Sequence, residues 1–367
     1  MDAVSGASMR CHLSGVLRLL GHSPESRTAA EGALAIFQSL GDRRGIARAW
    51  LALALWFSGE HERGGKLLER ALATSRELED ERQVLYVLGL VSIFTAVHSD
   101  ADHAWALGRE VLQLDPDNGH CLRAESLLEL NAGNYARAEA SCDRALRSAR
   151  TSQHAEFIGW TLRQHADIAF AQQDYASAYS YAQESCRVFR KLAMPQQVML
   201  QLCHLGTIAA LRGDHVCSRE HWTEAEAEAV ALSVGWGVAY SRLGVVDLDL
   251  VDGALASATR DLQHVGRLPL DERRLRQLER YVTRCGRLAT LQGVHGDGVT
   301  LLAAAETTIV DGTPWPIRDA LENLRLADAI AQAQAQMSDE SFSVAWERGK
   351  GLSLVEAADL ADGIIGI

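Results

Sequence analysis

Three stretches decide the fold: GNYARAEASCDRAL (133–146), QDYASAYSYAQESC (173–186) and GDHVCSREHWTEAE (213–226). They recur at one constant interval and share one layout. A turn residue comes first, then Asn134, Asp174 or Asp214, then a side chain that opens a helix. Outward from them the turn column runs back to Gly21, Gly59 and Ser99 and on to Gly253 and Gly293. The interval is held from Gly133 onward and nearly held before it, with one shorter step between Ser99 and Gly133. Helices are expected to open at Ser23, His61, Ala101, Tyr135, Tyr175, His215, Leu255 and His295, just past each turn. One turn further along each helix the site is small: Ser26, Gly64, Ala104, Ala138, Ala178, Ser218, Ala258 and Gly298. Such a period means a solenoid, in which each unit buries its apolar face against its neighbours.

Between the turns the pattern is helical. Residues 153–171 (QHAEFIGWTLRQHADIAFA) and 175–191 (YASAYSYAQESCRVFRK) carry apolar or small residues at three- and four-residue spacing. The same layout recurs in 118–132 with 135–150 and in 195–212 with 215–232. Gly at the turn suits the left-handed conformation that closes a helix. Asn134, Asp174 and Asp214 can accept the free N–H groups of the helix that follows. No alternating strand pattern is present.

Bulk properties fit a helical array. The 367 residues are 47% hydrophobic and 23% charged, with 6 prolines. A net charge of −12 disfavours a phosphate-backbone partner, so no direct nucleic-acid contact is expected. No apolar run approaches the length of a membrane span, and the opening MDAVSGASMRCHLSG lacks the basic and apolar regions of a signal peptide. Seven scattered cysteines without a CxxC pair are expected to be reduced and buried in a cytoplasmic protein.

The helix, Gly-Asp/Asn-Tyr turn and small-x3-apolar-x2-Ala order resembles the tetratricopeptide repeat, and Leu205-Gly206 and Leu243-Gly244 supply its usual Leu-Gly. The implied fold is all-α: a right-handed α-solenoid of about eight helical hairpins over residues 1–312, closed by a C-terminal helical cap over 313–367. The units are longer than the roughly 34 residues of the commoner repeat. In this they are similar to the helical arrays of bacterial LuxR-, SARP- and MalT-type signalling ATPases. AIFQSLGDRRGIARAW (35–50) resembles their F-x-x-LGD-x-x-G-x-A-x-A phrase. The segment FSVAWERGKGLSLVEAADLA (342–361) resembles their terminal W-x-x-G-x-x-L-x-L-x-x-A phrase. This likeness implies signalling or transcriptional regulation. Their accompanying modules are not found: Gly64-Gly65-Lys66-Leu67 falls within an expected helix and lacks the hydroxyl of a phosphate loop, and no basic helix-turn-helix surface is present. The chain is thus either an excised sensor array or a free-standing relative.

In tetratricopeptide arrays the first helix of each pair lines the concave face. Counting back from the turns places Trp56 and Phe57, Tyr86, His120 and Arg123, then Trp160, Arg163, Asp167 and Phe170, and finally Arg280, Thr283 and Arg287 there. Aromatic rings beside Arg suit a recognition surface for a peptide, a protein segment or a small effector. The competing account is packing, since aromatic side chains on solenoid helices are mostly buried, and Arg163 with Asp167 is also the spacing of an ordinary helical ion pair.

No nucleophile elbow, HExxH or phosphate loop is present, so no catalytic residue and no cofactor is assigned. If the solenoid enclosed an active site, Arg163, Asp167, His120 and His165 would be the acid–base candidates. A pure assembly scaffold, including a homodimer joined through an end repeat, is the third alternative. Metal ligation is not assigned either. His98, Asp100, Asp102 and His103 fall in a turn, and Cys203 and His204 are adjacent on a helix, about 100° apart, so they poorly complement Cys217 and His221. Asp247, Asp249 and Asp252 crowd a helix end where the macrodipole disfavours carboxylates. A cation, a basic partner or solvation would offset that cost.

Overall fold

The computed structural model describes residues 3–19, 23–56, 61–97, 101–268, 275–307 and 316–367. Gly21, Gly59, Ser99 and the boundary expected at 312 lie outside them, as do the side chains of Trp56, Phe57, His98, Asp100 and His103. The described residues form nineteen helices and no strand. Eight antiparallel hairpins come first: α1 (Ala3–Leu19) with α2 (Ser23–Leu40), α3 (Arg43–Trp56) with α4 (His61–Glu77), α5 (Glu81–Val97) with α6 (Ala101–Leu114), and α7 (Gly119–Asn131) with α8 (Tyr135–Thr151). Then follow α9 (Ala155–Ala171) with α10 (Tyr175–Lys191), α11 (Pro195–Leu211) with α12 (His215–Ala231), α13 (Gly235–Val251) with α14 (Leu255–Gly266), and α15 (Leu275–Leu291) with α16 (His295–Glu306). The chain ends in α17 (Pro316–Ala335), α18 (Asp339–Lys350) and α19 (Leu354–Ile365). All eight second helices start at the residues expected from the sequence. The one short step in the period, between Ser99 and Gly133, arises because α6 and α7 are clipped to 14 and 13 residues, against 17 in α9.

The period is a local backbone device. A helix of 17 residues is followed by a three-residue turn whose middle member is left-handed. After α7 the Gly133 N–H donates to Leu130 O (3.0 Å) and Asn134 N–H donates to Glu129 O (2.8 Å), the paired bonds of a Schellman ending. Gly213 and Gly293 repeat this with φ of 76° and 84°. The same ending recurs where no glycine marks it, at Gln153, Ala193 and Ser233, with φ between 51° and 54°. Left-handed residues therefore close turns within the hairpins and between them, and a glycine marks only some of each. An exposed alanine in this conformation is strained by its Cβ. Ala193→Gly is thus expected to stabilise its unit by about 1 kcal/mol in urea unfolding; a lower midpoint would show the turn to be unstrained.

Where an aspartate follows the left-handed position, it caps the next helix. Asp174 accepts from Ser177 N (3.0 Å) and Asp214 from Cys217 N (3.0 Å). Asn134 does not cap; its amide donates to Glu129 Oε2 (2.8 Å) instead. His154 caps α9, its Nδ1 accepting from Phe157 N (3.1 Å).

Two compact units divide the chain, Met1–Gln197 and Val198–Ile367. In the first, the phrase at 35–50 is a packing motif. Gly41 is left-handed, Asp42 accepts from Gly45 N, Ala47 and Ala49 are fully buried, and the Phe37 ring occupies the space a Cβ on Gly45 would need. In the second unit, Trp222 on α12 lies against Gly206 of α11 and Gly244 of α13, and Ser218 donates to Gly206 O (2.7 Å). The small column thus permits close helix approach. The C-terminal helices belong to this unit. Gly349 lets α18 rest against the backbone of α16 at Thr300, while Leu354, Ala357 and Ala361 of α19 join a core with Tyr281, Cys285 and Leu288 of α15.

Candidate functional site

The first helices α5, α7 and α9 pack side by side in the first unit. Three rings step across them: Tyr86 meets His120 edge-on at 5.5 Å between centroids, and His120 meets Phe157 at 4.8 Å. The Arg123 guanidinium stands over the Phe157 ring at 5.4 Å, donates from Nε to Gln164 Oε1 (3.2 Å), and its carbonyl accepts from Gln164 Nε2 (2.8 Å). One turn along α9, Arg163 stands over Trp160 at 5.2 Å. Trp160 donates to Glu156 Oε1 (3.2 Å) and meets Phe189 of α10 edge-on. Arg163 and Asp167 are both buried, whereas Tyr86 is 46% exposed.

Burial and neighbouring charge set the protonation states. His120 is pushed down to about 4 by burial, by Arg123 and by His154, so it is neutral near pH 7. Its Nδ1 is buried without a hydrogen-bond partner. Arg123 is lowered to about 10 by burial and then by Arg163, against the opposing pull of Cys142, Asp167 and Glu156, and it stays charged. The cluster therefore offers a charged guanidinium, a neutral imidazole and one exposed ring, that of Tyr86, which suits carboxylate, amide and aromatic groups.

Of the residues singled out from sequence, Tyr86, His120, Arg123, Trp160, Arg163 and Asp167 gather on this face. Phe170 turns instead to Tyr175 at the hairpin end, 5.3 Å between ring centroids. His165 stacks on Tyr181 and lies 3.4 Å from Asp143, on the side of α9 away from Arg163. Arg287 belongs to the second unit, buried against Asp247. Phe157, Gln164 and Glu156 were missed. Gln164 pairs with Arg123 across about one repeat, and complementary polar residues at that separation are the signal that would have found it.

All seven cysteines are free thiols, and burial pushes Cys121 and Cys203 up to about 12. Cys203 Sγ lies 3.7 Å from Ser241 Oγ, and Cys217 Sγ lies 3.5 Å from His221 Nε2. Among the described residues no three metal-ligating side chains come together, and no helix is long and apolar enough to cross a membrane.

No family model and no curated protein matches the chain. Solved structures do. A signal transduction ATPase with a tetratricopeptide repeat sensor, PH0952 from Pyrococcus horikoshii, superposes with a TM-score of 0.57 at 13% identity. The match covers 87% of this chain and 55% of that one, so the chain spans little over half of that protein. A Rap protein complexed with Competence and Sporulation Factor matches at 0.53 and 13% identity, covering 91% of this chain and all of that one. A monomeric IFIT1 mutant with Gppp-AAAA matches at 0.52 and 13%, covering 92% and 79%. The fold is an all-α solenoid of tetratricopeptide type.

Proposed function

We propose that this chain is a non-catalytic binding array that recognises a peptide, a protein segment or a small effector on the shared face of α5, α7 and α9. The observation that carries it is the buried, unpartnered Nδ1 of His120, set between an exposed Tyr86 ring and the Arg123 guanidinium. A buried polar atom left unpaired costs about 1–3 kcal/mol, and a ligand that pairs it recovers that cost on binding. The factor held by the Rap protein and the Gppp-AAAA held by IFIT1 support a binding role for such solenoids. The likeness to a signalling ATPase sensor, with the two phrases shared with LuxR-, SARP- and MalT-type arrays, supports a regulatory role in the cytoplasm. Binding would shift the population of helix arrangements that a partner reads.

Panning a random peptide library on the immobilised chain tests this reading. Enriched peptides are expected to lose at least about 30-fold in affinity against Trp160→Ala plus Arg163→Ala, the scale of a hot-spot pair. The helical circular dichroism of that variant should stay unchanged. Equal affinity for parent and variant would overturn the assignment.

A further inference from the structure

The second unit holds an arginine cluster that ligand recognition in the first unit does not use. Helix α15 buries Arg280, Thr283, Arg284 and Arg287 along one side, with exposures of 3%, 3%, 2% and 8%. Arg280 stands over the Tyr240 ring at 4.5 Å. Arg284 is a staple: it donates from Nε to Leu243 O (2.9 Å), from one terminal nitrogen to Arg280 O (3.0 Å) and from the other to Asp247. Arg287 donates to the second oxygen of the same carboxylate. One buried Asp247 thus serves two guanidiniums.

A third guanidinium, that of Arg325, is carried by α17, which packs on α15 and, through Leu326 and Ala329 against Leu302, on α16. Its Nε is buried and has no hydrogen-bond partner. Burial lowers the pKa of Arg287, and Arg284 and Arg325 lower it further against the pull of Asp247. Like charges crowded in a desolvated place lower stability unless an anion joins them. Arg325 itself is only half-buried, so the cluster remains open to solvent at its edge.

We infer that Arg287 and Arg325 form an oxyanion site of phosphate type in the second unit, with Asp247 and Arg284 holding Arg287 in place. Two guanidiniums from separate helices suit a tetrahedral, multiply charged group, whose several oxygens can accept from both at once. The phosphoryl group is either free phosphate or part of a phosphorylated effector.

Phosphorus NMR of inorganic phosphate titrated with the full chain tests the site, beside thermal unfolding in phosphate, or in chloride or acetate of equal ionic strength. The parent is expected to broaden the phosphate line saturably and to gain stability in phosphate well beyond the two controls. Arg325→Gln should abolish the saturable part of both, and Arg325→Lys should weaken it. Without phosphate, Arg325→Gln should be at least as stable as the parent, because a crowded cation is removed. Competition by a phosphate monoester at lower concentration than inorganic phosphate would identify an effector-borne group; competition only at equal or higher concentration would identify the free ion. No saturable broadening, broadening that survives Arg325→Gln, or equal stabilisation by acetate would each overturn the inference.

Discussion

Replacing Asp247 with alanine is expected to destabilise the second unit by about 3–5 kcal/mol, read from chemical unfolding. Asp247 is 1% exposed and accepts from both Arg284 and Arg287, themselves 2% and 8% exposed. Taking the carboxylate away leaves two desolvated cations facing each other, and the surviving bonds from Arg284 to Leu243 O and Arg280 O do not neutralise them. Asp247→Asn should cost less, since an acceptor oxygen remains. The joint change Asp247→Leu, Arg284→Met and Arg287→Met should recover most of the loss, because the carboxylate and the two cations it neutralises are then removed together. A change within about 0.5 kcal/mol for Asp247→Ala would place the pair in screened, hydrated surroundings and remove the basis for the anion site beside it.

Trp222→Ala should cost about 3–5 kcal/mol, the scale of deleting a large buried aromatic ring. The indole is 2% exposed and fills the space between the glycines of two successive first helices. The more discriminating result is a reversal of sign. In the parent, Gly244→Ala must destabilise, since its Cβ would come within 2.3 Å of the indole carbons. In the Trp222→Ala background the same change should gain up to about 1 kcal/mol, because the collision is gone and alanine is the better helix former. Independent, additive effects would mean that the ring is not held by these glycines.

The two phrases that marked a regulatory array became legible as packing. In 35–50 the aromatic, the left-handed glycine, the capping aspartate and the small residues each meet one steric demand of a helical corner. In 342–361 Gly349 allows α18 to touch α16, and Leu354 and Ala357 fill the core. The three aspartates near the end of α13 were left with three ways to offset their charge. The structure uses the chain's own bases: Asp247 with Arg284 and Arg287, Asp249 with Arg219 (2.8 Å), and Asp252 with His215 (3.2 Å) and Arg219 (3.4 Å).

By itself the sequence determined the period, the helix starts and the small contact sites. These rest on short-range requirements that leave a residue signature: a glycine where the backbone is left-handed, an aspartate where N–H groups are free, a missing side chain where helices touch. Only the tertiary structure decided which polar groups meet. Arg123 finds Gln164 and Arg287 finds Asp247 across about one repeat each, a separation fixed by how consecutive hairpins register. It alone placed Gln153, Ala193 and Ser233 in the left-handed turns, where paired backbone hydrogen bonds close the helix ends without the glycine that would have announced it.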